Sequence, residues 1–262
     1  MKKLIISTLV IGACFLSCKG QEKKEVQQKE ILTPEERNKI DPKLTEFWEP
    51  KVPKVTPGKN AAAPSDAIVL FDGSNFDSWS QKSSSSVGWT LNDDGSMTVN
   101  PKTGGITSKQ TFGSIQLHLE WKSPPKVEGK SGQGLGNSGV FLQGRYEVQV
   151  LDNIDNETYS NGQVGSVYKQ SIPLAMASVP TGEWNTYDII YHQPEFNELG
   201  EVTKKATITV LHNGVLVQDH FEIQGPTEYK GPPIYKAHDK APIHLQAHGD
   251  LVSYRNIWVR EL

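Results

Sequence analysis

From Ala67 to Leu262 the chain is a succession of short apolar or alternating runs broken by Gly, Asn, Asp and Pro, with no long helical pattern and no internal repeat. Side chains alternate about an extended backbone, so runs of this kind bury one face and must find a second sheet to bury it against. The pattern predicts strands near 67–71, 87–91, 96–100, 105–108, 114–122, 138–143, 145–151, 164–168, 184–191, 205–212, 215–223, 243–248 and 251–260. Asn213-Gly214, set between ATITVLH and VLVQDHFEI, reads as a two-residue hairpin turn. The expected fold is all-β, a sandwich of antiparallel strands.

Two of these runs carry polar residues in phase. In NSGVFLQGRYEVQVLD (Asn137 to Asp152), Val148 and Val150 point one way while Glu147 and Gln149 point the other. In IHLQAHGD, Ile243, Leu245 and Ala247 share one face, and His244, Gln246 and His248 the opposite one. Together the two runs could supply a carboxylate, amides and imidazoles to one surface. Three polar loops adjoin them in sequence, Ser123 to Gly136, Asn153 to Gly165 and Pro226 to Pro242; long loops on a rigid scaffold are where binding concentrates.

The N-terminal region has a different character. Residues 1–17 combine two lysines, a short apolar run and small residues, the pattern of an export leader and too short for a spanning helix of ~20 apolar residues. The segment resembles a bacterial lipoprotein leader, with Cys18 as the lipidated residue and Cys14 as the alternative. The expected location is therefore the cell envelope, with the membrane contacted only through the lipid anchor. Residues 18–64 read as a polar tether and arm, in which Thr33, Pro34, Glu35 and Glu36 announce a short helix. A β-sandwich domain then occupies 65–262. The formal net charge of -3, from 27 basic and 30 acidic residues, speaks against nucleic acid as a partner.

Glu147 leads the candidates for chemistry, because a carboxyl on a half-buried strand face is desolvated and suits proton transfer. The competing reading is an ion pair with Arg145 or Arg255. Gln149 would bond substrate or simply fill a solvated face. His244 and His248 stand about 13 Å apart at ~3.3 Å per residue, too far to share a metal on a regular strand. His248, before Gly249, is placed at a strand end to act as acid or base. Asp152 could bind a sugar hydroxyl, orient an imidazole, help hold a divalent cation, or accept from its own turn. Asn137, Gln246 and Arg255 are further candidates for substrate contact. Arg255 and Asn256 are expected on opposite faces, and Glu120 and His118 share a face that could border the site. There is no Gly-x-Ser-x-Gly, no cysteine beyond residue 18 and no His-Glu-x-x-His, which disfavours a serine, thiol or zincin route.

The ordered set IVLFDGSNFDSW, NSGVFLQGRYEVQVLD, GEWNTYDIIY, TVLHNGVLVQDH and LQAHGDLVSYRNIWVREL resembles the 3-keto-disaccharide hydrolase family, over about Ala67 to Leu262. The resemblance implies a concanavalin-like jelly roll of two curved antiparallel sheets, exported and often lipid-anchored, acting on an oligosaccharide or glycoside. It implies cleavage of glycosides oxidised at the 3-hydroxyl, and it places Glu147, Gln149, Asp152 and His248 at the family's polar positions. Ala247 departs from a frequent aspartate, and Ala175-Met176-Ala177 from a stretch that often carries asparagine. No firm cofactor is implied; a divalent metal ion is left open as the electrophile. A glycan-binding module and a conventional glycoside hydrolase are the alternatives, the latter requiring a second carboxylate such as Glu120 or Asp152 ~5–10 Å from Glu147.

Overall fold

The computed structural model describes residues 32–82 and 84–262. The leader, Cys14 and Cys18 lie outside the described residues. The chain divides after Pro53 into two units. In the first, a short helix, α1 (Pro34–Arg37), forms as its capping pattern predicts. Glu36 N donates to Thr33 Oγ1 at 3.2 Å and Thr33 N to Glu36 Oε2 at 2.8 Å, a reciprocal capping box with Pro34 in the first turn. A 3₁₀ turn follows at Pro42–Thr45, capped by Asp41.

The second unit is built of strands: β1 (Ile68–Phe71), β2 (Trp79–Ser80), β3 (Thr90–Leu91), β4 (Met97–Thr98), β5 (Ile106–Phe112), β6 (Ile115–Lys122), β7 (Ser138–Leu142) and β8 (Tyr146–Val150). They continue with β9 (Trp184–His192), β10 (Glu195–Phe196), β11 (Val202–Lys204), β12 (Thr207–His212), β13 (Val215–Glu222), β14 (Ala241–Leu245) and β15 (Ser253–Glu261). One sheet runs β13-β12-β9-β6-β15-β4-β3, with β1 also paired to β15. The other runs β2-β5-β14-β7-β8, and β10-β11 form a separate hairpin. The ladders are antiparallel, and the whole is the expected jelly-roll sandwich.

Alternation decides which residues meet between the sheets. Leu117, Leu119 and Trp121 of β6 and Tyr187, Ile189 and Tyr191 of β9 face Val140, Val148, Val150, Ile243 and Leu245 in one core cluster. Each fully buried aliphatic side chain contributes ~1.5–3 kcal/mol. The core tyrosines also carry hydroxyls that burial obliges to find partners. Tyr187 Oη donates to Gln149 O, and Tyr254 Oη to Ser138 Oγ, which in turn donates to Gln246 O, each at 2.7 Å. These bonds cross from the larger sheet to the backs of residues on the smaller one, and they fix the strand and turn that carry Gln149 and Gln246.

Two predicted strands need revision. Residues 164–168 form no ladder strand. The segment runs along the outer edge of β8, with Gln149 N donating to Ser166 O at 3.0 Å and Tyr168 N to Glu147 O at 3.1 Å. The run 243–248 is extended only to Leu245, so Gln246 and His248 lie on the turn beyond β14. β2, β10 and β11 have no signature in the sequence, because two- or three-residue strands show no period.

Candidate functional site

Register places the polar face. Phe141 stands opposite Glu147 and Gly139 opposite Gln149 across β7 and β8, while His244 of β14 stands opposite Phe141. These side chains share the face of the smaller sheet turned away from the core. A cavity of about 270 Å³ lies on it. Glu147, Gln149 and Phe141 form its floor, and Gln246 and His248 come from the turn after β14. Gln133 and Asn137 enter from the loop before β7, Tyr168 from the segment beside β8, and Thr227 and Tyr229 from the long loop before β14.

Glu147 is 4% exposed, and among the described residues it has no ion-pair partner. Arg145 donates instead to Gln143 O, and Arg255 is engaged elsewhere. Burial alone pushes the Glu147 carboxyl up to about 8. Its backbone is held on both sides, N–H to Thr227 Oγ1 at 3.0 Å and C=O from Tyr168 N at 3.1 Å. The carboxyl lies over Gly139, where a Cβ would collide with Oε1.

The amides around Gln149 orient one another. Gln133 Nε2 donates to Gly162 O at 2.8 Å, and a carbonyl can only accept, so Gln133 must turn Oε1 toward Gln149. Asn137 Nδ2 likewise donates to Gln133 O at 2.7 Å, which leaves Asn137 Oδ1 facing Gln149. Gln149 therefore presents Nε2 to both, at 3.1 and 3.4 Å. Among the described residues its Oε1 is buried and unpartnered, as is Gln246 Oε1. An unmade acceptor of this kind costs ~1–3 kcal/mol, which a ligand hydroxyl would recover. Asp250 secures the loop: Oδ2 accepts from Asn137 N at 3.0 Å and Oδ1 pairs with Lys130.

The structure thus brings Glu147, Gln149, Asn137, Gln246 and His248 to one cavity, while other candidates fall away from it. Asp152 accepts from Thr181 Oγ1 at 2.7 Å and Ile154 N at 3.0 Å, a turn acceptor outside the lining. His244 packs across Gly105 with its ring edge toward Phe141. Glu120 and Arg255 are corrected outright. They are register partners on β6 and β15, on the outward face of the larger sheet, with Arg255 Nε donating to Glu120 Oε2 at 2.6 Å. Arg255 also covers the Trp184 ring at 4.1 Å. A bulge at Asn256, with φ +47, lets both Arg255 and Asn256 reach Glu120, contrary to the expected alternation.

That outer network has a pH signature. Burial pulls the His118 imidazole down, but Asp188 at 2.7 Å and Glu120 override it and raise it to about 9. The ordinary unfolded value is 6.5, so the stabilisation is complete below pH 6.5 and lost as pH rises through about 9. Asp188→Asn should remove roughly 2 kcal/mol after solvent screening. Urea unfolding of wild type and variant should differ at pH 6 and converge near pH 10.

A divalent cation would find one carboxylate and one imidazole among the lining residues. Among the described residues no group of three or more His, Cys, Asp or Glu is placed to hold a metal ion.

A jelly roll with a ring-sized cavity on one outward face, floored by a desolvated carboxyl and unpartnered amide acceptors, is the architecture of a carbohydrate-active β-sandwich. The chain belongs to the family described as 3-keto-alpha-glucoside-1,2-lyase-like domain, matched over residues 66–260. It is 51% identical to a candidate glycosyl hydrolase from Parabacteroides distasonis of known crystal structure, covering 85% of this chain and 97% of that one, with a TM-score of 0.81. Another candidate glycosyl hydrolase from P. distasonis shares the fold at 19% identity, covering 80% of this chain and 100% of its own, with a TM-score of 0.56. A third does so at 20% identity, covering 75% of this chain and 99% of its own, with a TM-score of 0.51. No functionally curated protein matches the chain.

Proposed function

We propose that this protein cleaves the glycosidic bond of 3-keto-glycosides by elimination and hydration. The observation that carries the reading is Glu147, a buried carboxyl with no ion pair among the described residues, raised to about 8, on the floor of a cavity whose amide oxygens are open to ligand hydroxyls. A ketone at C3 acidifies the C2 proton. Glu147 takes that proton and the C–H electrons form the C2–C3 enolate. The enolate re-forms the ketone as a C1–C2 double bond, and the C1–O bond breaks. His248, on the same lining, donates the proton that the departing oxygen needs. Water then adds its hydroxyl to C1 and a proton to C2, so the net change is hydrolysis.

Arg255 does not enter this scheme, since Glu120 and Trp184 hold it on the other sheet. Hydrogen-bond donors at the cavity, His248 and the Gln246 amide, are the groups available to the enolate oxygen. A paired-carboxylate hydrolase is less well supported, because Glu147 is the one carboxylate among the lining residues. The family and the 51% identical candidate glycosyl hydrolase support carbohydrate as the substrate class.

The test is to incubate the purified protein with 3-keto and unoxidised disaccharides, with and without chelator. Turnover of the 3-keto sugar alone is expected. Cleavage of the unoxidised sugar alone would remove the elimination mechanism, and turnover of neither would leave a glycan-binding module.

A further inference from the structure

We infer that the mouth of the cavity is a second subsite, where the leaving-group sugar ring stacks on Tyr229 and receives hydrogen bonds from Lys169; this rests on the glycoside reading above. The cavity, at about 270 Å³, is smaller than the ~300–1,000 Å³ pockets that enclose drug-sized ligands, so it houses one pyranose ring. The second ring of a disaccharide must then lie over the rim. Tyr168 and Tyr229 line the cavity there, and Tyr229 is 71% exposed, a large aromatic surface that the fold leaves open to solvent.

The rim is built, not incidental. The Tyr159 ring packs against Gly162, where any Cβ would collide with it, and its hydroxyl bonds that of Tyr168 at 2.6 Å. The Lys169 ammonium sits among three rings, 4.6 Å from Tyr159, 5.4 Å from Tyr229 and 5.9 Å from Tyr168. Lys230 approaches the Tyr229 ring at 5.9 Å. Lys169 has φ +65, a conformation that a lysine adopts only at a cost, and its N–H is tied to Asn161 O at 2.7 Å. Ammonium groups only donate, whereas the floor presents unpartnered acceptors at Gln149 and Gln246. The floor therefore suits the hydroxyls of the reacting ring, and the rim suits the C–H face and ether oxygens of the departing one.

Calorimetric binding to the Glu147→Gln protein, which keeps both sugars intact, tests the assignment with a 3-keto-disaccharide and a methyl 3-keto-glycoside. Adding Tyr229→Ala should weaken the disaccharide about tenfold and the methyl glycoside less than twofold. Lys169→Gly should act in the same direction while relieving the left-handed strain, so its melting temperature should hold or rise and misfolding cannot account for the loss. Equal weakening of both ligands, or none for the disaccharide, would overturn the subsite. Failure of the glycoside reading shows separately, as absence of wild-type turnover, and the same comparison with unoxidised sugars still reads the rim.

Discussion

Glu147→Gln should lower turnover of a 3-keto-disaccharide by about a thousandfold and, above pH 7, make the protein more stable. The two effects share one cause. A general base contributes ~10²–10⁴-fold, and an amide cannot accept the C2 proton. The rising limb of the wild-type kcat/KM profile should have its inflection near 8, because only the ionised Glu147 acts as base, and activity should fall again where His248 no longer holds the proton it donates. The same proton affinity weakens the fold. The native carboxyl holds its proton up to about 8, against an ordinary value of 4.5, so the native state binds more protons than the unfolded chain between these values. Stability therefore falls as pH rises from 4.5 to about 8, by an amount on the order of 4 kcal/mol at 1.36 kcal/mol per pH unit, discounted for partial solvation. Glutamine has no charge to bury, so the variant should melt several degrees higher at pH 8.5 and close to wild type at pH 5. Undiminished turnover would remove Glu147 as base, and a variant that melts lower at pH 8.5 would mean that the carboxylate has a partner in solution.

The part of the site that period can encode was legible from the chain. Strict alternation put Glu147 and Gln149 opposite Val148 and Val150, and the structure has them so, because a one-residue slip would send both valines to solvent. His248 before Gly249 was readable as a strand-end residue, although the strand stops at Leu245. What period cannot encode is which sheet a strand joins. Glu120 and His118 alternate as cleanly as Glu147 and Gln149, yet β6 pairs with β9 and β15 and turns them away from the cavity. Loops were legible only as loops. Gln133, Thr227 and Tyr229 come from segments flagged by their length, but no pattern in an irregular segment says which side chain turns inward. Gln133 is the clearest case: its role depends on Gly162 O, a carbonyl 29 residues away.

Gly139→Ala should cost about a hundredfold in turnover while leaving every reacting group chemically intact. Gly139 faces Gln149 in the register of β7 and β8, on the outward side where the Glu147 carboxyl folds back over the sheet. A methyl at 139 would occupy the space of Glu147 Oε1 and come within 2.9 Å of the Phe141 ring. Phe141 sits in the floor and Glu147 is fastened by backbone bonds to Thr227 and Tyr168, so the side chain that can yield is the carboxyl itself. Driven off the strand face it becomes better hydrated, and its proton affinity falls toward the ordinary value of 4.5. The pH profile should then lose its inflection near 8 and shift downward, a change that a general loss of folded protein would not produce. Overpacking should also cost ~1–3 kcal/mol of stability. In a Glu147→Ala background most of that cost should vanish, leaving the contact with Phe141, so a double-mutant cycle read by urea unfolding isolates the clash. An additive cycle, or an unshifted profile in the single variant, would mean that the carboxyl does not rest on Gly139 in solution. Gly139 is thus where shape sets chemistry: the missing side chain lets a long carboxylic acid lie down against an apolar sheet, and the sheet raises its affinity for the proton it is asked to take.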